Sequence, residues 1–106
     1  MPRSAARGEV WLVDLGMAAK VRPCLVLSIP PEDADRSLLS AVVHTTSVRG
    51  SRFEVSVTAR FLRREGAFDA QNIVTIPQAK LIKRLGMLTS TQLGDVEAAV
   101  RRWLGF

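Results

Sequence analysis

Short stretches that either alternate apolar with polar residues or run apolar, bounded by turn residues, read as strands along this chain, and the pattern changes to a helical period only near the end. Phe53-Glu54-Val55-Ser56-Val57-Thr58 alternates strictly and reads as a half-buried strand. Glu9-Val10-Trp11-Leu12-Val13-Asp14-Leu15 is a second strand with one partly solvated face, ended by Gly16. The next run, Val21-Arg22-Pro23-Cys24-Leu25-Val26-Leu27-Ser28, follows the short connector Met17-Ala18-Ala19-Lys20, so these two strands are expected to pair antiparallel. Pro23 lacks an N–H and has a fixed φ, which suits a strand start; the residue before it is pushed to extended geometry. Arg22 is therefore expected at the rim where loop becomes strand, with Cys24 to Leu27 anchoring it.

Pro30-Pro31-Glu32-Asp33-Ala34-Asp35-Arg36 cannot continue a sheet and reads as a surface loop. Leu38 to Ser47 resumes it as a mostly apolar strand that turns hydroxyl-rich at Thr45-Thr46-Ser47, before a turn at Arg49-Gly50-Ser51-Arg52. Phe61 to Asp69 reads as a loop or a hairpin tip, Asn72-Ile73-Val74-Thr75-Ile76 as a strand stopped by Pro77, and Ile82 to Leu88 as a last strand bent at Gly86. Thr89-Ser90-Thr91-Gln92 fits a capping box, and Leu93, Val96, Ala99, Val100, Trp103 and Leu104 recur at spacings of three and four, which places them on one helix face. Gly94 interrupts this helix and suggests close packing of another backbone. Six short strands and one terminal helix point to a mainly β fold, a small twisted barrel with a C-terminal helix. Met1 to Arg7 has little to bury and reads as a flexible arm, leaving residues 8–106 as one domain.

At 106 residues the chain is long enough to bury roughly two thirds of its unfolded surface without staples. Cys24 is a lone cysteine and His44 a lone histidine, so neither a disulfide framework nor a structural zinc site is expected, and no metal or nucleotide cofactor. With no signal-length or membrane-length apolar run, the expected compartment is the cytoplasm and no membrane is involved. Lys and Arg outnumber Asp and Glu by 15 to 10. That excess points towards a polyanionic partner, and arginine, which supplies most of it, binds phosphate through a planar fork.

The chemistry available is narrow. No serine sits in a nucleophile-elbow context beside His44, which is expected to be structural or surface-facing, and no phosphate-binding glycine loop or EF-hand set occurs. What remains is an arginine at a strand start, a hydroxyl cluster at a strand end and excess positive charge. RNA cleavage needs no more, because the 2′-OH of the substrate is the nucleophile; the protein has only to hold the phosphate, stabilise its developing charge and manage protons. Alternation puts Thr45 and Ser47 on one face of their strand, with His44 and Thr46 on the other.

Arg7 to Leu15, Val21 to Ser28, Thr45-Thr46-Ser47, Phe53-Glu54-Val55 and Leu81 to Leu88, in that order, resemble the MazF/PemK toxins of type II toxin–antitoxin modules. The resemblance implies a CcdB/MazF-type fold, that is an SH3-like barrel with a C-terminal helix. It further implies a homodimeric, metal-independent endoribonuclease that cuts single-stranded mRNA at short sequences, leaves 2′,3′-cyclic phosphate and 5′-hydroxyl ends, and is held inactive by a cognate antitoxin protein. Arg22 matches the catalytic arginine and Thr45 the catalytic threonine, with Thr46 the neighbouring possibility. The family's glutamine falls on Gln71 or on Asn72. Lys20, Ser47, Arg49 and Arg52 complete the expected RNA-binding set. One departure is the first loop: many members carry a longer Gly/Ser-Glu-Gln-Gly-like stretch where this chain has Gly16-Met17-Ala18-Ala19-Lys20.

Two other readings share these features. The ending Trp103-Leu104-Gly105-Phe106 loosely resembles the Trp-Gly-Ile element with which CcdB toxins, of the same fold, poison DNA gyrase without catalysis. A catalytically inactive RNA- or peptide-binding module would also suit the charge.

Overall fold

The computed structural model describes residues 5–16 and 20–106, so Met17, Ala18 and Ala19 of the first connector, and residues 1–4 of the expected arm, lie outside the described residues. Among the described residues six strands form one antiparallel sheet: β1 (Glu9–Asp14), β2 (Val21–Val26), β3 (Leu38–Thr45), β4 (Glu54–Ser56), β5 (Ala67–Pro77) and β6 (Leu81–Met87), followed by the helix α1 (Ser90–Leu104). Their order across the sheet is β4-β5-β3-β2-β1-β6. As the short connector requires, β1 and β2 pair antiparallel, Val10 opposite Leu25 and Val13 opposite Arg22.

The sheet is covered on both faces. Val10, Leu25, Val42 and Phe68 meet Val96, Ala99 and Val100 of α1 in one core, while Trp11, Val13, Cys24, Val26, Ala41 and Val43 form a second core on the opposite pleat. The capping box forms as expected: Gln92 N–H donates to Thr89 Oγ1 at 3.1 Å and Thr89 N–H to Gln92 Oε1 at 3.0 Å. Trp103 and Leu104, counted on the buried stripe, are about half exposed, Trp103 edge-on to Phe53 at 5.3 Å. Gly94 has no neighbour within 4 Å of an added Cβ, so no backbone packs there.

A contact joins the two ends of the sheet. The segment between β4 and β5 crosses to β6, where Phe61 lies on Gly86; a Cβ there would stand 2.3 Å from the ring. Gly86 is thus glycine for close approach; it pairs with Val10, and the register shifts directly after it, so β6 is irregular at the expected bend.

Three other boundaries differ from the pattern reading. β5 begins at Ala67, not Asn72, because Ala67-Phe68-Asp69 pairs with both β3 and β4, and that pairing overrides weak strand propensity. Between Val42/Ile73 and Val43/Asp69 the register shifts, leaving Ala70, Gln71 and Asn72 in a bulge. β4 is short because β5 begins opposite Ser56, and Val57 and Thr58 have no strand to pair with. The described part of the arm is docked: Ala5 is buried, Ala6 N–H donates to Glu9 Oε1 at 2.7 Å, and Arg7 pairs with Glu97 of α1.

Candidate nucleic-acid interface

Pro23 sits opposite Leu12, and the ladder to β3 starts only at Cys24, opposite Val43. The proline therefore closes one side of β2 and fixes the backbone of half-buried Arg22. Continuing the antiparallel register by two residues brings Arg22 level with Thr45, on the pleat shared by Cys24 and Val43. Thr45 lines a groove of about 300 Å³ with Ser47, Arg49, Glu54, Asp69 and Gln71. Its Oγ1 accepts the N–H of Ser47 at 3.0 Å, which leaves the hydroxyl hydrogen available to a ligand.

Carboxylates shape this groove. Glu54 accepts the N–H groups of Arg49 (3.0 Å) and Ser51 (2.8 Å), and these bonds, the Arg49 one foremost, hold its pKa below the usual carboxylate value. Asp69 accepts the N–H of Gln71 at 2.9 Å and steadies the bulge that presents it.

The other side of the β3 end is a cavity of about 420 Å³, bordered by Arg22, His44 and Thr46 together with Phe61, Arg63, Arg64 and Lys83. His44 is buried, edge-on to Phe68 at 5.1 Å, with its Nε2 lacking a hydrogen-bond partner. Burial pushes its pKa down and the Arg22 charge adds to the effect, so the imidazole is neutral at neutral pH. Gly66 seals this corner: a Cβ would stand 2.1 Å from the Thr45 carbonyl oxygen and 2.8 Å from His44 Cε1. Behind Arg22, burial pushes the Cys24 thiol up to about 12, which makes it a packing residue and not a nucleophile.

Of the residues expected from sequence, the groove gathers Thr45, Ser47, Arg49 and Gln71, and the cavity gathers Arg22 and Thr46. Lys20, Arg52 and Asn72 line neither; Lys20 is exposed at φ 56° in the turn before β2, and Arg52 stacks over Phe53 at 4.7 Å. Arg63, Arg64, Lys83 and Phe61 were not among the expected site residues: Phe61, Arg63 and Arg64 form a basic, aromatic run in the stretch read as a loop or hairpin tip, and Lys83 lies in the expected last strand. Among the described residues, no three His, Cys, Asp or Glu side chains gather to hold a metal ion.

The family model for the PemK-like, MazF-like toxin of type II toxin–antitoxin systems matches residues 6–104. This chain belongs to that family. Among MazF relatives, "Endoribonuclease MazF6" of Mycobacterium tuberculosis (strain H37Rv) is 29% identical over 110 residues, spanning 93% of this chain and 96% of that protein. A solved mycobacterial endoribonuclease in complex with its cognate antitoxin superposes with a TM-score of 0.82 at 27% identity, covering 96% of both chains. The MazE–MazF complex (form II) of Deinococcus radiodurans, at 20% identity, shares the fold with a TM-score of 0.80 over 98% of both chains. The MazF/PemK resemblance and the mainly β fold of the CcdB/MazF type expected from sequence both hold. At the C-terminus, the Trp-Gly-like ending is a helix stop: Gly105 is left-handed at φ 81° and its N–H donates to Arg101 O at 2.7 Å.

Proposed function

We propose that this toxin is a metal-independent endoribonuclease that cuts single-stranded RNA at short sequences. One observation supports the reading: the β2–β3 ladder starts at Cys24 opposite Val43, directly after Pro23, and the same register extended by two residues brings Arg22 level with Thr45, beside the cavity that Arg22 borders with Thr46. In this arrangement the Arg22 fork holds the scissile phosphate and stabilises the charge that builds on it, and the Thr45 hydroxyl donates a hydrogen bond to a non-bridging oxygen. The RNA 2′-oxygen bonds to phosphorus and the 5′-oxygen leaves; the 2′-OH loses one proton and the 5′-oxygen gains one. The products are a 2′,3′-cyclic phosphate and a 5′-hydroxyl. Thr46 is the neighbouring donor. Ser47, Arg49 and Gln71 guide the strand along the groove, with Lys20, Arg52 and Asn72 outside it.

The reading extends to assembly. A homodimer widens a groove that one small chain can offer only narrowly, and the half-exposed Trp103, Leu104 and fully presented Phe106 offer apolar surface for a second copy. The solved relative bound to its cognate antitoxin supports control by an antitoxin partner. Among the described residues no helix is long and apolar enough to cross a membrane, and we place the toxin in the cytoplasm with its mRNA substrate.

The test is cleavage of end-labelled single-stranded RNA in EDTA. Discrete products with cyclic-phosphate ends are expected, and a strict magnesium requirement, or intact RNA at high enzyme, overturns the reading.

A further inference from the structure

Arg63, Arg64 and Lys83 have no part in the cleavage step, yet the fold brings all three to the cavity that Arg22 borders. Its walls are apolar, formed by Leu12, Val21, Pro23, Phe61, Leu62 and Leu85. Among the described residues, every ionisable side chain lining it apart from neutral His44 is a cation, and none is a carboxylate. A second cavity of about 520 Å³ shares Thr46, Leu62, Arg63 and Arg64 with the first, so the two arginines stand between two openings.

This combination narrows the occupant. An aliphatic ligand leaves four cations without counter-charge, and inorganic phosphate leaves the apolar walls unused. An unpaired nucleotide carries both a flat, weakly polar ring and a phosphate on each side, and a volume of about 420 Å³ is within the ordinary range for a small-ligand site. His44 Nε2, buried in this wall region without a partner, is a standing cost that a base edge with donors and acceptors can relieve where an aliphatic group cannot.

We propose that the cavity is a base-binding subsite: it takes one unpaired base adjoining the phosphate held at Arg22, while Arg63, Arg64 and Lys83 grip the phosphates beside that base. The proposal rests on the ribonuclease reading and adds to it the position at which this toxin selects sequence.

The experiment uses the full chain as wild type, as Val21→Trp, and as Arg63→Ala/Arg64→Ala, with thermal melts on the same samples. Val21 is 49% exposed at the mouth, so the larger ring narrows the cavity without entering the core. Cut sites in a random RNA pool are sequenced. In parallel, binding is measured for a 2′-O-methyl oligonucleotide, selected from a pool by the wild type, with an abasic residue placed at each position in turn. The methylated strand has no free 2′-OH and is not cut.

One abasic position is expected to weaken wild-type binding about tenfold or more, and Val21→Trp to lose both that sensitivity and sequence preference at the matching position. The double arginine variant is expected to bind all sequences more weakly, with the salt slope reduced by about 0.7 for each phosphate that it leaves unneutralised. If the wild type cuts RNA but no abasic position stands out and folded Val21→Trp keeps the wild-type cut profile, the subsite falls and the ribonuclease reading stands. A wild type that binds without cutting overturns cleavage, and the abasic series then decides the subsite alone. One that neither cuts nor binds overturns both. Competition by an acidic peptide with no abasic effect assigns the cavity to protein and overturns the proposal. Should Val21→Trp fail to fold, Lys83→Ala on the exposed side of β6 takes its place.

Discussion

On one side of the β3 end, Thr45 faces an open groove whose loops are pinned by Glu54 and Asp69; on the other, His44 and Thr46 face a cavity with apolar walls and a cationic rim. Three consecutive residues thus serve two different environments, because strand pleating sends neighbours to opposite faces. The groove offers hydroxyls and backbone-fixed polar groups, which suit a phosphate and its transition state. The cavity offers low polarity bounded by fixed charge, which suits recognition. Arg22 borders the cavity, and the register extended from Cys24–Val43 carries it towards Thr45, so under the proposed reading it joins binding on one side to chemistry on the other.

The largest expected effect is at that junction. Arg22→Ala removes a donor aimed at developing charge, so single-turnover cleavage should fall by about a hundredfold or more, roughly 3 kcal/mol, with much less change in RNA affinity. Melting should be near wild type, and Arg22→Lys should fail as well, since a point charge does not replace the fork. A folded Arg22→Ala protein cutting at wild-type rate would break the assignment.

Next is the contrast between the two threonines. Thr45→Ala should slow the chemical step about tenfold, in line with the loss of a single charge-assisted hydrogen bond, and Thr46→Ala should act mainly through RNA affinity. Measured rate and binding constants for the pair check this; the reverse ranking would move the scissile phosphate to the cavity side.

The smallest effect concerns His44. Its folded pKa lies below 6.5, so the unfolded chain takes up this proton first as pH falls. The stability linked to neutral His44 is present above 6.5 and is lost as pH drops towards the depressed folded value. Urea melts between about pH 7.5 and 5.5 should show this decline, and His44→Phe, which keeps an aromatic edge on Phe68, should flatten it. An unchanged slope in that variant would show that other groups titrate there.

Several of these features were legible in the chain itself. Alternation marked the strand around Val55 and part of the one around Trp11, continuous apolar runs marked those around Leu25 and Val42, the Thr89–Gln92 spacing marked the helix start, and Arg22-Pro23 marked the rim position. These signals are local, fixed by the pleat, the capping geometry and the proline ring. The early start of β5 was not legible, because Ala67-Phe68-Asp69 owes its extended form to strands on both sides. Nor was the role of Gly66 or Gly86, each defined by an atom distant in sequence or on a neighbouring strand.

The sequence by itself determined a basic mainly β domain with a helix at its end, an arginine held at a strand start, and opposite faces for Thr45 and Thr46, since these follow from residue type and period. Tertiary structure alone decided that Phe61 reaches β6, that His44 is buried and neutral beneath Arg22, and that Arg63, Arg64 and Lys83 share one cavity. The reason is physical: a cavity is made by segments far apart in the chain, and no period along the sequence records which of them the curled sheet will bring together.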